Sequence, residues 1–122
     1  MAITEITGTK AVDTTEWSLS DVSTTNGEAF STETPQTDDG VVQVFLDLDD
    51  MVAGDQLQVR IYEKARSGDT QRIVYEAIIT GDQGSTLWAS PALTLMHGWS
   101  VSADALAGTI TVNWSIRRIP VA

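Results

Sequence analysis

Carboxylates are the side chains this chain has in number that could do chemistry. Asp47, Asp49 and Asp50, with Asp55 after them and Asp38 and Asp39 before, form its densest acidic cluster. Several carboxylate and carbonyl oxygens that converge on one point make a calcium site. The spacing does not fit the twelve-residue calcium loop, which has a central Gly and a closing Glu. The cluster therefore reads as a solvated strand end and turn. Paired acids also run glycoside hydrolysis when they flank a groove at roughly 5–10 Å, but no Asp/Glu pair is set apart here. His97 is the sole histidine and stands in a turn before Gly98. A Ser-His-Asp arrangement lacks its usual elbow, since no Gly-x-Ser-x-Gly occurs. One His and no Cys serve transition metals poorly, and there is no Gly-rich phosphate loop. The expectation is a protein that is not an enzyme, with no catalytic residue, no metal and no cofactor.

Aromatic side chains offer a different chemistry, stacking. Trp99 and Trp114 run in phase with Val101 and Val112, and Trp17 with Leu19, so all three are expected in the core. Trp88 stands apart, between small neighbours and a break at Pro91. An exposed Trp88 would stack on a sugar ring; otherwise it caps the core or joins an interface.

The elements that must carry these residues are strands. Val42, Val44, Leu46 and Leu48 alternate with Gln43, Phe45 and Asp47, and the same period of two returns at Leu57, Val59 and Ile61. It continues through Ile73, Tyr75, Ala77 and Ile79, then Trp99, Val101, Ala103 and Ala105, then Ile110, Val112, Trp114 and Ile116. A period of two sends alternate side chains to opposite faces of a pleated strand. Turn signals separate the runs at 66–69, 81–84, 97–98 and 107–108, each containing Gly. Pro91 cannot donate to a ladder and marks an edge, bulge or break. Residues 49–54 have room for a helical turn closed by Gly54. Residues 21–40 read as a long loop with Phe30 as its large apolar side chain. About eight strands with no amphipathic helix predict an all-β antiparallel sandwich, jelly-roll-like. It forms one domain over 1–122, with an N-terminal strand or arm over 1–12.

Charge narrows the partners. Seventeen acidic residues against seven basic ones leave a net charge of −10. Such a surface repels phosphate backbones and anionic membranes, so neither nucleic acid nor membrane is expected as a partner. The first residues lack the basic start and apolar run of a signal peptide. No apolar run approaches the ~20 residues that span a bilayer. The absence of cysteine excludes disulfides and thiolate metal sites.

One departure from simple alternation points to assembly. Phe45, Tyr62, Val74 and Ile78 are apolar yet out of phase with the expected core. A sheet face turned to water should be polar there, so these positions predict a covered second face. Its cover is either the N-terminal arm, anchored by Ile3 and Ile6, or another subunit. Trp88 joins this set as a further interface candidate.

Three stretches carry a resemblance. They are Thr14-Thr15-Glu16-Trp17-Ser18-Leu19 with 34–40, the 53–64 segment, and Gly98-Trp99-Ser100-Val101 with 107–109 and 114–118. Together they resemble small proteins encoded among the head genes of tailed bacteriophages, over most of the chain from Thr14 onward. The resemblance implies a head decoration (cement) protein, a β-rich module on the outer surface of the phage head within the virion. It implies the major capsid protein as partner and a homo-oligomer, with a trimer favoured. The alternative is a carbohydrate-binding or adhesion β-sandwich that uses Trp88.

Overall fold

The computed structural model describes residues 2–21 and 27–120. Met1, at the start of the expected arm, and residues 22–26 of the expected 21–40 loop lie outside the described residues. The chain forms two antiparallel sheets packed face to face. The first holds β1 (Thr4–Val12), β10 (Ile110–Pro120) and β4 (Gly40–Asp47) in that order. Both β7 (Leu87–Ala89) and β8 (Leu93–Leu95) pair with β4. The second runs β3 (Glu28–Ala29), β2 (Trp17–Ser18), β9 (Ser100–Ala107), β5 (Gln56–Glu63), β6 (Arg72–Thr80).

Pro91 interrupts what is otherwise one edge strand, leaving β7 and β8 at opposite ends of β4. Counted as one strand, they complete the row β1-β10-β4-β7/β8. Facing it, with the two-residue β3 set aside, is β2-β9-β5-β6. The chain crosses between sheets at most connections, and this order is that of a jelly roll. The expected all-β sandwich is the observed fold.

Alternation builds the core. β4 points Val42, Val44 and Leu46 inward, and β10 points Ile110, Val112, Trp114 and Ile116 inward. Opposite them, β5 contributes Leu57, Val59 and Ile61, and β9 contributes Val101, Ala103 and Ala105. Each fully buried Val, Leu or Ile side chain contributes about 1.5–3 kcal/mol relative to exposure. Trp99 is wholly buried and satisfies its indole N–H by donating to the Asp38 carbonyl at 2.8 Å.

One local expectation is settled and three change. The segment read as an N-terminal strand or arm is a strand, paired with β10 of its own chain from Thr4 to Val12. Trp17 is only half-buried at the core margin. Its indole N–H donates to Asp13, and the Lys10 ammonium lies 3.9 Å from its ring. Residues 49–54 form two successive turns, closed by Met51 N–H to Leu48 and Asp55 N–H to Val52, with Met51 drawn into the core. The 66–69 turn closes through Asp69 N–H to Arg66 and an Arg66–Asp69 ion pair at 3.1 Å, without positive φ at Gly68.

The described part of the 21–40 stretch is structured. It supplies β3, a single 3-10 turn over Phe30–Thr32, and a bridge from Gln36 to Trp99. It lies over the outer face of the second sheet and so buries Ser100 and Ser102 in β9.

Gly108 closes the β9–β10 hairpin with φ +84°, and a Cβ there would collide with the Asp55 carboxylate. That carboxylate accepts the Val52 N–H at 3.0 Å, so it is not free to retreat. Gly108→Ala is expected to cost about 1–3 kcal/mol, from left-handed strain together with the displaced Asp55. Urea denaturation, with the slope unchanged and the midpoint lowered, checks it.

Candidate interaction surfaces

The outer face of the first sheet carries an apolar groove of about 200 Å³. Val41, Gln43 and Phe45 of β4, Ile119 of β10, Ile3 just before β1 and Ala92 between β7 and β8 line it. Val41 and Ile119 are direct cross-strand partners. Arg117 lies at its side with the guanidinium 3.9 Å over the Phe45 ring, a cation–π contact that leaves the ring half-covered. The Arg117 Nε donates to Ser115 Oγ at 3.1 Å, and Ser115 in turn donates to Glu5. Ile3 is 62% exposed.

The outer face of the second sheet is instead a polar network roofed by the 27–36 segment. Phe30 stacks on Tyr62 with ring centroids 4.5 Å apart. The Tyr62 hydroxyl donates to Glu16 at 2.6 Å, and Ser102 donates to the same oxygen at 2.5 Å. Burial, and then the Glu16 carboxylate, push the Tyr62 hydroxyl up to about 12. Arg60 binds Glu76 at 2.7 Å and lies 3.6 Å from Glu16; the Glu76 hydrogen bond holds it firmly charged. Glu33 accepts hydrogen bonds from Ser100 at 2.6 Å and Ser18 at 3.3 Å, yet burial raises its carboxyl above the ordinary range. Asp104 is nearly buried on this face, and its Oδ1 has no hydrogen-bond partner among the described residues.

The sequence grouped Phe45, Tyr62, Val74 and Ile78 on one second face; the structure divides them. Phe45 belongs to the first sheet, and the other three to the second. Positions out of phase in the two sheets point away from the shared core in opposite directions. Ile3 and Phe45 meet in the groove. Tyr62 lies under Phe30, so its cover comes from the chain itself. Val74 and Ile78 remain exposed on β6. Ile6 and Trp88 both lean on the core. Ile6 does so as part of β1, and Trp88 by pairing with Leu46 on the inward side.

Sequence reasoning missed Val41, Gln43, Ala92, Arg117 and Ile119 in the groove. The same parity test finds Val41 and Ile119, which are apolar and out of phase, but nothing in the alternation signals Arg117 or Ala92. It also placed Ile73 inward. A β-bulge sets Ile61 opposite Tyr75 but Tyr62 opposite Ile73, turning Ile73 onto the outer face.

Three carboxylates of the acidic cluster accept backbone donors: Asp47 the Asp49 N–H, Asp55 the Val52 N–H and Asp50 the Thr111 N–H of β10, while Asp38 lies 3.7 Å from Arg118. Among the described residues no three His, Asp or Glu side chains are placed to hold a metal. The His97 backbone N–H donates to Glu63.

No family model matches this sequence, and no curated protein matches it. Among solved structures, the chain is similar to the Eiger TNF of S. frugiperda at 11% identity. That alignment covers 97% of this chain and 94% of the other, with a TM-score of 0.45.

Asp104 gives a pH prediction. Burial raises its carboxyl above the usual carboxylate range, outweighing the Arg60 charge that lowers it, while Glu16 and Glu76 add to the rise. A carboxyl raised in the folded state favours folding while protonated, and that contribution is lost as pH climbs through the raised value. Asp104→Asn is therefore expected to melt higher than the parent at pH 7. The difference should shrink toward zero as pH falls below the unfolded value near 4. Paired thermal melts across this range check it.

Proposed function

We propose that this chain is a structural protein of a tailed-phage particle: a decoration protein seated on the outer surface of the mature head. Its partner in this reading is the major capsid protein, and it acts in several copies, with three per assembly favoured. The observation that carries the reading is the apolar groove on the outer face of the first sheet. A water-facing antiparallel sheet should be polar on that side. Here Ile3, Val41, Phe45 and Ile119 gather instead, on a chain whose net charge is −10. The resemblance of its sequence to phage head proteins supports the same reading. Trp88, on which the sugar-binding alternative relied, is partly buried against the core.

Such a protein works by mass action. Binding the expanded shell and not its precursor stabilises the expanded state in proportion to occupancy. Symmetric repetition turns a modest contact into a strong one, because each further site engages at high effective concentration.

Ile3→Glu combined with Ile119→Glu is the test. Both side chains are exposed, so melting should move by no more than about 4 °C, as for surface substitutions generally. Binding to expanded heads that lack the protein, read by co-sedimentation, should fall at least tenfold. Unchanged binding in the variant removes the groove from the contact. Failure of the parent chain to bind heads removes the reading.

A further inference from the structure

A sheet edge is a row of unpaired N–H and C=O groups that invites another strand, and proteins usually blunt it. Three of the four edges here are blunted. β1 turns Lys10 inward opposite Val112 and carries Gly8. The β7/β8 edge is broken at Pro91, and β3 is two residues long. β6 is different. It spans nine residues, has no proline, and its irregularity is confined to the end near Ile73. Beside that open edge stand Ile73, Val74 and Ile78, which are 48%, 50% and 55% exposed.

We propose that β6 is a contact between two copies of this chain, the two strands pairing antiparallel about a two-fold axis at Ala77. The second sheets of both copies then join into one continuous sheet, an isologous interface built by strand addition. A two-fold pairing closes at two copies, so this contact is separate from the three-copy assembly favoured above and rests on neither it nor the particle reading.

The register follows from chemistry. Edge groups point outward only at alternate residues, so a two-fold pairing of identical strands has its axis at a residue. An axis at Glu76 sets two carboxylates opposite each other, which is unfavourable. An axis at Ile78 leaves a shorter overlap and sets Val74 beside Asp82 of the second copy. An axis at Ala77 sets Tyr75 beside Ile79 of the second copy, covering the half-open end of the core at β6. It places Ile78 diagonal to its symmetry mate, roughly 7–8 Å away and within reach for long side chains. Glu76, the remaining charge in the overlap, is already bound by Arg60.

Charge complementarity selects the same register. Arg72 and Asp82 have no ion-pair partner in their own chain among the described residues. The axis at Ala77 brings Arg72 of each copy to the end of the pairing where Asp82 of the other stands. Symmetry makes this contact twice.

The chain has no cysteine, so one introduced thiol reports the contact cleanly. Opposed residues of an antiparallel pair have Cα atoms about 4.5–5.5 Å apart, inside the range a disulfide spans. Under mild oxidation Ala77→Cys is expected to form a covalent dimer at least tenfold faster than Thr9→Cys on β1. Adding Arg72→Glu should slow that reaction severalfold, and adding Asp82→Arg as well should restore it. Circular dichroism establishes that each variant is folded. Cross-linking of folded Ala77→Cys no faster than the control overturns the contact. Cross-linking that Arg72→Glu does not slow overturns the register. Head binding is read separately with the parent chain: dimerisation without it removes the particle reading and leaves this contact standing.

Discussion

The apolar contact between β4 and β10 on one side and β5 and β9 on the other holds the molecule together. These four strands are central in their sheets and supply most of the buried apolar side chains. With no cysteine to form a disulfide, a chain of 122 residues depends on that single core. Everything on the two outer faces is positioned by it. The inward parity of each central strand decides which residues are left pointing out.

The two outer faces solve the same physical problem differently. On the second sheet, Ser100 and Ser102 of β9 would face water, but the 27–36 segment folds over this face. The carboxylates of Glu16 and Glu33 then become acceptors for buried hydroxyls. Burying charge this way is tolerable only because each acid finds donors. The raised carboxyls of Glu33 and Asp104 mark where the compensation is incomplete. Among the described residues the first sheet has no such roof. Its groove is open there, with Arg117 over Phe45 as a partial cover, and this contrast is what the proposed function rests on.

Much of the fold was legible because a buried strand writes its parity directly into the sequence. Val42, Val44 and Leu46, or Ile110, Val112 and Trp114, could face only one way, and they do. Pro91 was legible as a break because a residue without an N–H cannot continue a ladder. Trp17 was less so, since the same parity places a side chain at the middle of a core or at its margin.

The candidate surfaces were only half legible. Alternation says that Phe45, Tyr62 and Ile78 are out of phase, but parity is local to one strand and carries no information about which sheet the strand joins. Sheet membership depends on long-range pairing, and it was this that separated Phe45 from Tyr62 and brought Phe30 onto Tyr62. A one-residue bulge reversed Ile73, because an extra residue flips every side chain beyond it. The amino-acid sequence by itself determined an acidic, cysteine-free chain of alternating strands and the inward residues of its core. The tertiary structure alone decided which out-of-phase side chains are covered, which line the groove and which strand edge stays open. Those outcomes are set by contacts between residues tens of positions apart.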